Sequence, residues 1–181
     1  MNPIRPTRSL QGFGLIEVII VVAIIAITAA LALPSYSRTM GRARTTTTTN
    51  SLLNAVNDAR SEALVRRKGV SICPSTDGNT CAGTDWSVGW IVLQDSGANG
   101  AGDGKPALRA WPAVPPNTTL TASTAVAYIN FSRMGTAKIG ATGASNVSFT
   151  SKPTPCVAGD ARQVTVKSYG RASVAPTTPC T

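Results

Sequence analysis

At 181 residues, with 17 basic and 8 acidic side chains and a formal charge of +9, the chain has the length of one folded domain plus an anchor. It contains no histidine, which removes the usual general base, the commonest zinc ligand and every Ser-His or Cys-His nucleophile. No enzymatic activity, cofactor or metal is therefore expected. The positive excess permits anionic partners such as nucleic acid without requiring them, because the charge is spread along the chain rather than blocked.

The run from Gly12 to Pro34 encloses 21 residues with a single charge, Glu17. A helix of that length covers roughly 30 Å, the thickness of a hydrocarbon core, and exceeds the ~7–15 apolar residues of a signal-peptide core. A carboxylate inside such a run is costly unless it is paired, so Glu17 needs a partner. A plain signal anchor with an incidental glutamate is the bland alternative.

Gly12, Phe13, Gly14, Leu15, Ile16 and Glu17 follow a short leader carrying Arg5 and Arg8, and this arrangement resembles the prepilin cleavage motif of the type IV pilin superfamily. The resemblance implies that a prepilin peptidase cuts after Gly12 and methylates the new amino terminus, Phe13. It also implies that Glu17 pairs with the amino terminus of a neighbouring subunit and so sets axial register. On this reading residues 1–12 are the leader and 13–33 the transmembrane and pilus-core helix. Residues 34–68 continue that helix in amphipathic form, and 69–181 form a periplasmic or extracellular β domain. Loss of the leader leaves 15 basic against 8 acidic residues and a charge of +7.

Beyond Pro34, Leu52, Val56, Ala59 and Ala63 recur at helical spacing with Asn54, Asp58, Arg60 and Glu62 between them. The pattern predicts a helix to about Arg67, ending before Gly69, with Arg66, Arg67 and Lys68 complementing its negative end. Pro34 removes a donor, and Gly41 and the threonines at 45–49 are weak helix formers, so a bent or locally mobile neck is expected. After Gly69 the helical period disappears. Short strands are predicted over 70–73, 86–94, 107–111, 118–122, 125–132, 147–150 and 162–168, seven in all, between Gly, Pro, Asn and Asp clusters. The fold class is therefore α+β, a long N-terminal helix packed on antiparallel sheet. Trp86, Val88, Trp90 and Val92 would share one strand face with Ile91 and Leu93 opposite, and the three tryptophans are read as core.

Cys73, Cys81, Cys156 and Cys180 are even in number and lack a CxxC pair, which favours disulfides over zinc or redox chemistry. Four cysteines allow three connectivities. The short bracket from Cys73 to Cys81 and the terminal position of Cys180 favour local pairing, 73 with 81 and 156 with 180. Such bridges place the domain outside the cytoplasm. Counting positive residues on either side of the apolar run does not fix the orientation, because Arg38, Arg42 and Arg44 follow it as closely as Arg5 and Arg8 precede it. The location implied is the inner membrane, single-pass with a periplasmic domain, and then a pilus or pseudopilus.

The stretch from Ser61 to Cys81, the Trp/Gly/Trp segment at 86–90 with its Gly- and Asp-rich continuation, and Leu108 to Trp111 resemble the globular domain of FimT, FimU and GspH-type minor pilins. Asp95, Asn99 and Asp103 suggest calcium, yet an EF-hand needs oxygen ligands at loop positions 1, 3, 5 and 12, where this chain has Asp95, Gly97, Asn99 and Pro106. A flexible hairpin connection is expected there. Arg162, Lys167 and Arg171 are candidate DNA contacts, with Arg133 or Lys138 beside them. DNA-binding FimT-type pilins resemble this region in carrying a Gly-Arg-any-Arg motif, but here Gly170, Arg171, Ala172 and Ser173 lack the second arginine. The C-terminal cysteine pair is more similar to that of FimU-type priming pilins, where it pins the tail. The resemblance implies a minor pilin near a pilus tip that helps start assembly, with the major pilin and other minor pilins, the prepilin peptidase and the inner membrane as partners. A FimT-type pilin binding double-stranded DNA for transformation, or a GspH-like pseudopilin of type II secretion, is the alternative.

Overall fold

A computed structural model describes residues 14–140, 144–177 and 180, with the side chains of 31–35 outside the description. Helix α1 spans Leu15–Arg66. The chain divides into two compact units, residues 1–39 and 40–181.

In the first unit, the described apolar side chains of α1, from Leu15 to Ile27, are about half exposed or more on every side. Among the described residues no helix is long and apolar enough to cross a membrane. The expected span, 13–33, reaches past the described side chains at both ends.

In the second unit α1 supplies the central element of the core. Leu52, Ala55, Val56, Ala59 and Ala63 are wholly buried, at the three-to-four-residue spacing that aligns side chains on one helix face. The threonine segment belongs to the same packed helix. Thr45, Thr48 and Thr49 are buried, and the Thr49 hydroxyl donates to the Thr45 carbonyl at 2.7 Å. The expectation of a mobile neck is thus corrected over 45–49, because tertiary packing overrides the weak propensity of threonine. The helix stops where Arg67 takes φ 53, the left-handed conformation that closes many helices and that glycine usually fills. Gly69, expected to mark the end, has another task. A Cβ there would overlap the Asp95 carbonyl, and Asp95 N–H donates to the Gly69 carbonyl at 2.9 Å.

Among the described residues nine strands follow, two more than expected, in two antiparallel sheets: β1 (Val70–Pro74), β2 (Trp90–Gln94), β3 (Arg109–Trp111), β4 (Thr118–Ala122), β5 (Ile129–Phe131), β6 (Ala137–Ile139), β7 (Asn146–Pro153), β8 (Ala161–Lys167) and β9 (Ala172–Thr177). The sheet orders are β3-β2-β1-β5-β6 and β4-β7-β8-β9. The two strands missed, β6 and β9, each follow a tight turn, and β9 is mostly exposed, so it shows no apolar alternation. One core joins α1 to Val70, Ile72, Trp90, Val92, Ile129 and Phe131 of the first sheet and to Leu120, Val147, Phe149, Val164 and Val166 of the second. A smaller cluster, Cys73, Ile91 and Leu93, covers the other face of the first sheet, which is why every residue of β1 and β2 is buried.

The expected strand over 86–94 is shorter than predicted. Trp86–Val88 is a 3-10 turn capped by Asp85, and Gly89, at φ 108, bends the chain into β2. Trp86 is nevertheless core: its indole N–H donates to the Val126 carbonyl at 3.0 Å, and its ring meets Phe149 edge-on at 4.7 Å. Trp90 is buried and Trp111 half-buried.

Candidate functional site

Glu17 lies exposed in the first turn of α1, its N–H donating to the Gly14 carbonyl at 3.0 Å. Its expected partner, an amino terminus at Phe13, and the expected cleavage site at Gly12 and Phe13 lie outside the described residues. A helix N-terminus carries positive partial charge, so a first-turn carboxylate suits it whatever else it binds.

Cys73 is bonded to Cys81 and Cys156 to Cys180, with Cα separations of 5.5 and 5.7 Å. The first bridge closes a loop in which Asp77 accepts from Asn79 N–H and Thr80 N–H, each at 2.8 Å, and from the hydroxyls of Thr80 and Ser75. These bonds, led by the Thr80 amide, hold the Asp77 carboxyl far below the usual carboxylate range. The second bridge ties the segment after β9 to the loop before β8. In that loop the buried Asp160 pairs with Arg42 of α1.

The segment after β2 is not the flexible hairpin expected. Asp95, fully buried, accepts from the Ser71 hydroxyl at 2.7 Å and from Gly100 N–H at 2.8 Å, while Asn130 Nδ2 donates to Ser71 Oγ and to the Asp95 carbonyl. Asp103 accepts from Gln94 Nε2 at 2.7 Å and from the amide and hydroxyl of Ser96 at 2.8 Å. The Gln94 side chain, first among these donors, pushes the Asp103 carboxyl down from its ordinary value. Both aspartates are therefore engaged in closing the loop. Tyr128 Oη and Lys138 Nζ then hold its tip by donating to the Ala98 carbonyl.

The three candidate DNA contacts do not form one surface. Along β8, Arg162 and Lys167 are five residues apart, about 17 Å at the strand rise, and an odd separation points them to opposite faces. Arg162 is half-buried on the face of Val164 and Val166, where its Nε donates to Thr46 Oγ1 of α1 at 3.1 Å. Lys167 and Arg171 are exposed and face each other across the β8–β9 turn, Lys167 N–H donating to the Arg171 carbonyl at 3.0 Å. That bond sets the alternation of the β8–β9 ladder and turns the amide edges of Ala172, Val174 and Pro176 outward. Pro176 has no N–H, so the free edge lacks a donor, a common protection against further strand pairing.

Reading by sequence alone missed what this turn packs against. Ala137 N–H donates to the Ser168 carbonyl at 2.7 Å, which brings the β5–β6 turn alongside. Gly170, at φ 84, lies so close that a Cβ there would overlap the Gly135 carbonyl and stand 3.1 Å from Arg60 Nε. A Cβ on Gly135 would likewise meet Arg60 Nε at 3.1 Å and Leu64 at 3.4 Å. The available signal was a pair of Gly-containing segments, 132–136 and 168–171, flanking short apolar stretches.

The family described as Type II transport protein GspH matches residues 48–170, and the prokaryotic N-terminal methylation motif matches residues 8–33. Among solved structures, the type IV minor pilin FimU of Pseudomonas aeruginosa is similar in two crystal forms. One is 22% identical, covers 77% of this chain and 96% of its own, and has a TM-score of 0.59. The other is 21% identical, with coverages of 75% and 98% and a TM-score of 0.56. The minor pseudopilin EpsH of the Vibrio cholerae type 2 secretion system is 10% identical, with coverages of 74% and 97% and a TM-score of 0.50. No curated protein matches by sequence. At such identities the solved structures carry the fold alone, whereas the family match spans well over half of the sequence. With the methylation motif laid over the start of α1 and the family match over its packed half and the β domain, the chain belongs to the GspH family and is a minor pilin or pseudopilin, of a type IV pilus or of type II secretion.

Proposed function

We propose that this chain is a minor pilin of a type IV pilus, incorporated near the tip, where it helps start assembly. The observation that carries the reading is the methylation-motif match over 8–33, which coincides with an apolar helical run whose one charge is Glu17. Prepilin peptidase removes residues 1–12 after Gly12 and methylates Phe13. Residues 13–33 hold the subunit in the inner membrane with 69–181 in the periplasm, and 34–68 link the two. On assembly the exposed apolar side chains of α1 exchange lipid for neighbouring helices, and Glu17 pairs with a neighbour's amino terminus, which offsets the cost of a carboxylate among apolar groups. The role is structural rather than enzymatic.

The pilus is preferred to a type II secretion pseudopilus because Cys156 and Cys180 are bonded, similar to the tail-pinning pair of FimU-type pilins. Double-stranded DNA is a weaker partner on this reading, since Arg162 is turned inward to Thr46. Mass spectrometry of the mature chain tests the processing, with a methylated Phe13 expected first; any other start refutes it. Glu17→Ala should be cut and folded but at least about tenfold depleted from sheared pili, a penalty of about 1.4 kcal/mol or more. Deleting the gene should reduce piliation and leave protein secretion intact. The opposite pattern assigns the subunit to secretion.

A further inference from the structure

The end of the β domain at Arg60 carries an unsatisfied chemistry. Arg60 and Leu64 share a face of α1 at i and i+4, and the β5–β6 and β8–β9 turns close over Arg60 through Gly135 and Gly170. The Arg60 Nε is buried there without an acceptor, although buried donors are nearly always paired. Around it Leu64, Met134 and Tyr169 are 46%, 74% and 56% exposed, and Arg133, Lys167 and Arg171 stand exposed on the two turns.

Among the described residues, no side-chain carboxylate bonds this surface. Asp58 pairs with Arg109, Glu62 with Arg66 and Asp160 with Arg42. Asp77, Asp85, Asp95 and Asp103 bond hydroxyls, amides and the Gln94 side chain within their own loops, and Glu17 lies in the apolar run. The same accounting applies to a second copy of the chain. Exposed Met and Tyr among arginines is the composition of a protein interface centre, whereas a phosphate-tracking surface needs cations and no apolar middle.

We propose that this end of the domain docks a different protein through a surface that sets carboxylates among apolar side chains, one carboxylate offsetting the charge of the part-buried Arg60 guanidinium. The proposal concerns this surface alone and holds for a pilus or a secretion pseudopilus. In the full-length chain in its own membrane, p-benzoylphenylalanine replaces Met134 and is photoactivated. One heterologous adduct is expected, whose cross-linked peptide, read by mass spectrometry, carries Asp or Glu among apolar residues. Lys167→Glu with Arg171→Glu should cut its yield about tenfold or more, because like charges brought together at an interface are strongly repelled. Arg60→Gln should lower the yield as well. Since it touches packed turns, it counts only if its thermal transition matches that of the parent, and the exposed double variant decides the matter otherwise. No adduct, an adduct with a second copy, a cross-linked peptide without acidic residues, or a yield unmoved by charge reversal overturns the proposal. So does binding of the full-length chain to a 30-base-pair duplex, about as many pairs as three turns of B-DNA, that the double reversal abolishes while the adduct persists.

Discussion

Replacing Gly170 by alanine tests whether the two turns truly meet over Arg60. The substitution carries two costs. A side chain at φ 84 sits in the left-handed region, which costs about 1–2 kcal/mol for a residue with a Cβ. The added methyl would also overlap the Gly135 carbonyl, and forcing volume into packed backbone costs a further ~1–3 kcal/mol. The expected loss is therefore about 2–5 kcal/mol. Gly159 supplies the control: its φ is 85, and a Cβ there meets nothing within 4 Å, so Gly159→Ala should lose only the conformational part. Urea unfolding of a fragment spanning residues 40–181, the second compact unit, reads the difference. With a slope near 2 kcal/mol per molar urea, Gly170→Ala should unfold about 0.5–1.5 M earlier than Gly159→Ala. Equal midpoints would mean that Gly170 serves the turn's backbone angle alone, and that the close approach to Gly135 and Arg60 is wrong.

Three further outcomes are expected. Arg67→Gly should stabilise the fragment by up to about 1 kcal/mol, because it relieves a left-handed residue at the helix end; a lower melting temperature would contradict this. Serine at both members of a disulfide should cost about 2.5 kcal/mol for the 73–81 bridge and about 3.5 for the 156–180 bridge on the loop-entropy model, with the wider loop losing more. As for pH, Asp77, Asp85 and Asp103 are all held below their ordinary value of 3.8, so the unfolded chain takes up protons first. Their stabilisation is complete above about pH 5 and is lost as the pH falls through 3.8 and below, while the lack of histidine leaves stability flat from about pH 5 to 8. Thermal transitions measured across this range check both parts, and a marked change between pH 6 and 8 would refute the second.

Local chemistry determined much of this protein from sequence alone. Continuous apolarity, helical spacing and short brackets are properties of neighbours in the chain, so the N-terminal run with Glu17, the buried stripe through Leu52, Val56, Ala59 and Ala63, and the bracket from Cys73 to Cys81 were legible without coordinates. Tertiary structure decided the features that depend on what lies across a gap. Thr45 and Thr49 are weak helix formers by propensity, yet their burial holds them in α1. Trp86 is core from a 3-10 turn rather than from a strand, because Gly89 bends the chain before β2. Asp95 and Asp103 close a loop expected to be a flexible hairpin, since Ser71, Gln94 and Ser96 bond their carboxylate oxygens. Arg162 is positively charged like its neighbours, but strand alternation turns it inward to Thr46. Arg60, Gly135 and Gly170 are far apart in sequence, and only the packing of α1 against turns of the two sheets brings them together. A residue's type and spacing state what it can do; which partner is within 3 Å depends on contacts between distant segments, and those the pattern of a single chain does not carry.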